Sequence, residues 1–104
     1  MSNINIGFIG AGNMGSAIMK GIAGSESGKD IQLFAFDPDA SKVAALAGYG
    51  VSPCESEADL VKKCKYVFLA VKPQIIESVL EAAAPGANSE TVFVSIAAGI
   101  TAEF

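Results

Sequence analysis

The run Ile4-Asn5-Ile6-Gly7-Phe8-Ile9, followed at once by Gly10-Ala11-Gly12-Asn13-Met14-Gly15, constrains this chain more than any other feature. The first six residues are mostly apolar and read as a short strand buried on both faces. The next six fit G-x-G-x-x-G. Apolar residues then fall at Met14, Ala17, Ile18 and Ile22, the stripe of a helix, with Gly24 as its stop. Strand, glycine turn and helix in direct succession predict the opening of a βαβ unit. Each glycine then has a mechanical task. Gly10 allows the tight turn, Gly12 lets backbone approach a pyrophosphate, and Gly15 lets the helix pack against the strand. The helix N-terminus offers free N–H groups and the positive end of a dipole to an anion. A strand-to-helix turn without a ligand is the plainer alternative.

The rest of the chain repeats the alternation. Ile31 to Phe36 reads as a second strand with Asp37 at its end. Pro38 and Asp39 start a helix carrying Val43, Leu46 and Ala47, which Gly48 and Gly50 end. Val51 belongs to a very short third strand. Ser56-Glu57-Ala58-Asp59 has the form of a capping box with Asp in place of Glu, ahead of a short helix through Lys63. Tyr66 to Val71 is a fourth strand. Pro73 opens a helix whose buried stripe is Ile75, Ile76, Val79 and Leu80, and Pro85-Gly86 closes it. Thr91 to Ile96 is a fifth strand, Ala97-Ala98-Gly99 a small-residue turn, and Thr101 the N-cap of a further helix. This pattern predicts an α/β fold: a Rossmann-type doubly wound parallel sheet of about five strands, with helices on both faces and right-handed crossovers. At 104 residues the stretch suits one domain, residues 1–104. The helix beginning near Thr101 leads to the expectation that this is the N-terminal part of a longer protein.

In open α/β sheets ligands lie beyond the carboxyl ends of the strands, where the strand order switches. The candidate binding residues are therefore Gly10, Ala11, Gly12, Asn13, Met14 and Gly15, with Ala70, Val71, Lys72 and Pro73 after the fourth strand and Ala97, Ala98 and Gly99 after the fifth. The last three leave room for a flat ring close to backbone. Lys72 is either a lining residue or a solvated loop lysine. Asp37 lies 22 residues after Gly15, where a carboxylate can accept hydrogen bonds from both ribose hydroxyls of NAD and repel the 2′-phosphate of NADP. It could equally cap the helix that follows. All seven basic residues are lysines, so no guanidinium fork can hold a phosphate. Asp37 and the missing arginine lean the cofactor towards NAD.

Several function classes are excluded. There is no histidine, hence no Ser-His-Asp or Cys-His catalytic group and no imidazole metal site. Cys54 and Cys64, ten residues apart, cannot complete a zinc site and read as buried thiols in a reducing compartment. The net charge of −4 speaks against an electrostatic nucleic-acid binder. No apolar run nears the roughly 20 residues that span a bilayer. Met1-Ser2-Asn3 lacks the basic start of a signal peptide. A cytoplasmic protein is expected, with no membrane or nucleic-acid partner.

Three segments carry a resemblance. Gly7-Phe8-Ile9-Gly10-Ala11-Gly12-Asn13-Met14-Gly15-Ser16-Ala17-Ile18, then Leu69-Ala70-Val71-Lys72-Pro73-Gln74, then Val94-Ser95-Ile96-Ala97-Ala98-Gly99-Ile100 resemble the pyrroline-5-carboxylate reductases, in that family's order. The second and third are far more specific than the glycine turn. The resemblance spans essentially the whole chain but only the family's N-terminal domain. It implies reduction of 1-pyrroline-5-carboxylate to L-proline with NADPH or NADH. It places the cofactor's pyrophosphate on residues 10–14, the cofactor's flank on Ala70 to Pro73, and the nicotinamide and imino-acid substrate near Ala97 to Gly99. It also implies a helical dimerisation and substrate domain beyond this chain, so the full protein is expected to be a homo-oligomer. No catalytic residue is expected within residues 1–104, which should bind dinucleotide without turning over substrate. The position of Asp37 often carries a small polar residue in NADP-using members, and the departure here favours NAD. Two other readings stay open: a β-hydroxyacid dehydrogenase-like enzyme, with a catalytic lysine in a second domain, and a non-catalytic NAD-sensing module.

Overall fold

The computed structural model describes residues 4–24 and 30–96, without the side chains of Asn13, Met14 and Pro73. The elements run β1 (Ile4–Ile9), α1 (Asn13–Ala23), β2 (Ile31–Phe36), α2 (Ala40–Ala44), β3 (Val51–Pro53), α3 (Glu57–Lys63), β4 (Tyr66–Leu69), α4 (Ile76–Ala83) and β5 (Val92–Ser95). Single 3₁₀ turns at Ala47–Tyr49, Pro73–Ile75 and Ala84–Gly86 complete them. All strand pairings are parallel, in the order β3-β2-β1-β4-β5. The chain winds outward from β1 to β3, then returns to lay β4 and β5 on the other side of β1. That is the Rossmann-type doubly wound sheet, with its switch in strand order between β1 and β4.

Alternation along the strands divides the core in two. Phe8, Leu33 and Ala35 face one way and pack with Met19 of α1, Val43 of α2, Leu46 and Val51. Ile9, Val67 and Leu69 face the other way and pack with Leu60, Val61 and Cys64 around α3, and with Val79 and Ala83 of α4. The register sets Phe8 beside Phe68, and their rings stack with centroids 5.1 Å apart. Both faces are covered, which is why the strands read as apolar runs rather than as an alternating pattern.

Close approach on the second face depends on Gly7, which lies within β1 and outside the G-x-G-x-x-G turn. A Cβ there would overlap the Leu60 side chain and come within 2.9 Å of the Cys64 sulfur. An interior strand glycine commonly marks such contact. Gly86 has the same role against the backbone of Ala58 in α3.

Several boundaries differ from the sequence expectations, among them the helix expected from Pro73, which begins at Ile76 after a 3₁₀ turn. β4 ends at Leu69 and not Val71, because its partner β1 leaves the sheet at Gly10; the Ala70 N–H makes the last ladder bond, to the Ile9 carbonyl at 2.9 Å. β5 is Val92–Ser95 and not Thr91 to Ile96, the Ile96 N–H closing its ladder on Leu69 at 3.2 Å. The helix expected through Ala47 stops after α2. Its end tightens into the 3₁₀ turn, which buries Leu46, and Gly50 reverses the chain into β3 with φ +80°. At α3 the capping box is half formed. Ser56 Oγ accepts the Asp59 N–H, but the shorter Asp59 carboxylate accepts from Glu55 rather than Ser56 and also pairs with Lys63 at 3.3 Å.

Both thiols are free. Burial pushes Cys64 up to about 12 and raises Cys54 as well. A thiol whose pKa is raised by folding stabilises the fold below its ordinary value of 9.0 and loses that contribution as pH climbs towards 12. Neither thiol is a nucleophile near neutral pH. The folded chain is therefore expected to resist iodoacetamide at pH 7.5 and to take up two labels when unfolded, read by intact mass. Rapid labelling of Cys64 in the folded chain would contradict this packing.

Candidate functional site

The turn after β1 is held from both sides. The Gly10 N–H donates to the Phe36 carbonyl of β2 at 2.8 Å, and the Ile9 carbonyl accepts from Ala70 beyond β4. Gly10 has φ +104°, and a Cβ on it would overlap the Ala70 carbonyl oxygen and lie 2.9 Å from its carbon. Only glycine fits that conformation and that contact without strain. A Cβ on Gly15 would sit 2.6 Å from the Gly10 carbonyl oxygen, so the third glycine lets α1 close onto the turn.

Gly12 is different. It is the N-cap of α1 with extended backbone (φ −75°, ψ −166°), a conformation open to any residue, and a Cβ there would meet nothing within 4 Å. No side chain caps the helix through Gly12, and the first turn carries no acidic residue. The start of α1, whose leading N–H groups have no partner within the helix, thus lies beside space that Gly12 leaves clear.

That space is a crevice of about 300 Å³ at the carboxyl ends of β1, β2 and β4. Ile9, Gly10 and Gly12 form one wall. Phe36, Asp37, Pro38 and Lys42 come from the β2 side, and Ala70, Val71 and Lys72 from the segment after β4. Ile75, Val79 and Glu57 complete it. Ile75 is 43% exposed, an unusual position for an isoleucine, and offers the crevice an apolar surface.

Asp37 joins the turn to the second strand. One carboxylate oxygen accepts the Ala11 N–H at 2.8 Å, and the other accepts the Asp39 N–H at 2.8 Å. Asp37 does not cap α2. That role belongs to Asp39, whose carboxylate accepts the Ser41 N–H and hydroxyl, and these bonds hold its pKa below the usual carboxylate value. A carboxylate has about four acceptor positions, so Asp37 keeps some for a ligand after binding two amides.

Half of the candidate residues therefore meet. Gly10, Gly12, Asp37, Ala70, Val71 and Lys72 line one crevice, and Ala11 is tied into it through Asp37. Asn13 and Met14 begin α1, Gly15 packs beneath the turn, and Pro73 opens a 3₁₀ turn before α4. Ala97, Ala98 and Gly99 lie outside the described residues, as does the helix expected at Thr101. Sequence reasoning did not single out Glu57, Phe36 or Gly7, and it read Ile75 and Val79 only as a helix stripe. Only the glycine inside a strand carried a local signal for its role. Among the described residues there is no metal-binding cluster and no helix long and apolar enough to cross a membrane. A second hollow, of about 400 Å³, lies at the opposite end of the sheet, between the end of α3 with the Cys64-Lys65 link and the loop Asn88–Thr91.

The chain is 40% identical over 97 residues to pyrroline-5-carboxylate reductase of Escherichia coli, covering 92% of this chain and 36% of that protein. It is 41% identical over 101 residues to the enzyme of the same name from Pseudomonas aeruginosa, covering 96% and 37%. The chain thus spans little more than a third of the length of these relatives. Among solved structures, Plasmodium falciparum pyrroline carboxylate reductase with NADP bound matches with a TM-score of 0.74 and 33% identity, over 93% of this chain and 34% of that one. The fold is shared more widely: Mycobacterium tuberculosis 3-hydroxyisobutyrate dehydrogenase matches with a TM-score of 0.80 at 21% identity, over 91% and 32%. Residues 5–99 match the family model described as NADP oxidoreductase, coenzyme F420-dependent, and the chain belongs to that family.

Proposed function

We propose that this chain is the dinucleotide-binding part of a pyrroline-5-carboxylate reductase. The observation that carries the binding reading is Gly12: no contact within the fold requires a glycine there, but a ligand pressed against the helix N-terminus does. The substrate reading rests on the relatives named pyrroline-5-carboxylate reductase, at about 40% identity across almost the whole stretch.

In this reading the leading N–H groups of α1 hold the pyrophosphate, and Gly12 sets how closely it approaches. Asp37 orders the turn through Ala11 and turns its remaining acceptor positions to the adenosine ribose. Val71 and Ile75 give the adenine an apolar surface, and the segment from Ala70 to Pro73 flanks the cofactor. Ala97, Ala98 and Gly99 line the nicotinamide end. A bound nicotinamide supplies the hydride that reduces the C=N bond of 1-pyrroline-5-carboxylate to give L-proline. The protein's own contribution is orientation and exclusion of water. We assign no catalytic residue to this stretch; substrate-binding groups and the proton come from the longer remainder that the relatives carry, which also makes the full protein a homo-oligomer. The acidic balance fits a cytoplasmic enzyme without nucleic-acid or membrane partners.

The test is a steady-state assay on the complete gene product with 1-pyrroline-5-carboxylate, following loss of NADH and, separately, NADPH absorbance. Turnover is expected with the complete protein, and dinucleotide binding without turnover from residues 1–104. A folded, dinucleotide-binding complete protein that leaves this substrate untouched would refute the substrate assignment.

A further inference from the structure

The crevice contains a carboxylate that neither the glycine turn nor the helix caps employ. Glu57 is the first residue of α3 and half-buried, and it lines the same crevice as Asp37 and Gly12. The side-chain bonds at the start of α3 run through Ser56 and Asp59. Asp59 also takes the ion pair with Lys63. The Glu57 carboxylate makes no hydrogen bond or ion pair with another described residue. It reaches the crevice from α3, on the opposite sheet face from α2 and Lys42, so two acidic groups approach one small space from different elements.

We propose that Glu57 is a specificity-determining residue that, together with Asp37, selects a dinucleotide whose adenosine ribose carries a free 2′-hydroxyl over one carrying a 2′-phosphate. This inference rests on the dinucleotide reading above. A hydroxyl can donate to a carboxylate, whereas a phosphate carries nearly two negative charges and only accepts. Lys42 and Lys72 line the crevice too, but both are exposed and their charge is screened, while a half-buried carboxylate is screened less. No arginine is available to fork onto a phosphate. Glu57 also sits favourably at the positive end of the α3 dipole. That role affects stability and is blind to which dinucleotide is bound.

The experiment is calorimetric titration of the chain with NADH and with NADPH. The wild type is expected to bind NADH more tightly by roughly tenfold or more, and Glu57→Gln to close that ratio by roughly tenfold through tighter NADPH binding. Glu57→Asp should keep the preference, as should Glu81→Gln, which removes a charge from the exposed face of α4. An unchanged ratio in Glu57→Gln, or a wild type that prefers NADPH, overturns the inference while the dinucleotide reading stands. A wild type that binds neither ligand overturns both.

Discussion

Gly10→Ala is expected to cost the chain a large share of its stability. The residue has φ +104°, which L side chains rarely adopt, and its Cβ would overlap the backbone of Ala70. That backbone cannot move aside as a flexible side chain would. The Ala70 N–H is bonded to Ile9, and the Gly10 N–H to Phe36, so relief on either side breaks a bond between central strands. Backbone strain of about 1–3 kcal/mol and overpacking of similar size together come to about 2–6 kcal/mol. A domain of this size has a total margin of about 5–15 kcal/mol. Urea unfolding followed by circular dichroism should show a much lower midpoint. An unchanged midpoint would mean that the turn is not left-handed at Gly10.

Gly12→Ala should do the reverse, leaving the fold intact and removing the ligand. The backbone there is ordinary and a methyl group meets no neighbour, so stability should fall by no more than about 1 kcal/mol, the cost of replacing glycine by alanine at an N-cap. In the bound state the methyl projects into the path of the pyrophosphate. An intrusion costing about 1–3 kcal/mol weakens binding roughly five- to 150-fold. Titration with NADH beside an unfolding curve separates the two effects. Undiminished binding would place the pyrophosphate away from this turn and sink the proposed function. The two glycines are two residues apart and identical in sequence terms, but the fold requires a glycine at Gly10 and not at Gly12.

The strand-turn-helix opening was legible because its signals are local. Buried strands announce themselves as apolar runs, and the glycine spacing follows from a turn of fixed geometry. Asp37 was legible as a residue of the crevice for the same reason, since the end of a parallel strand points to the carboxyl edge of the sheet. What it bonds to was not: the Ala11 N–H is 26 residues away in the chain, and their meeting depends on β1 pairing with β2. Likewise Asp39 rather than Asp37 became the cap of α2, a choice between neighbouring carboxylates that composition does not make. The strand ends were overestimated at Val71 and Ile96 because apolar character continues where pairing has already stopped.

By itself, then, the order of residues determined the alternation of strands and helices, the glycine turn and the edge of the sheet where a ligand belongs, because each depends on contacts within a few residues. The tertiary structure decided which residues share the crevice. Glu57 reads in sequence as an unremarkable first-turn acid. It enters the site only because α3 crosses beneath β1, where Gly7 has no side chain to hold it off. Long-range packing sets that distance; a glycine inside a strand marks a close approach locally, but not which element makes it.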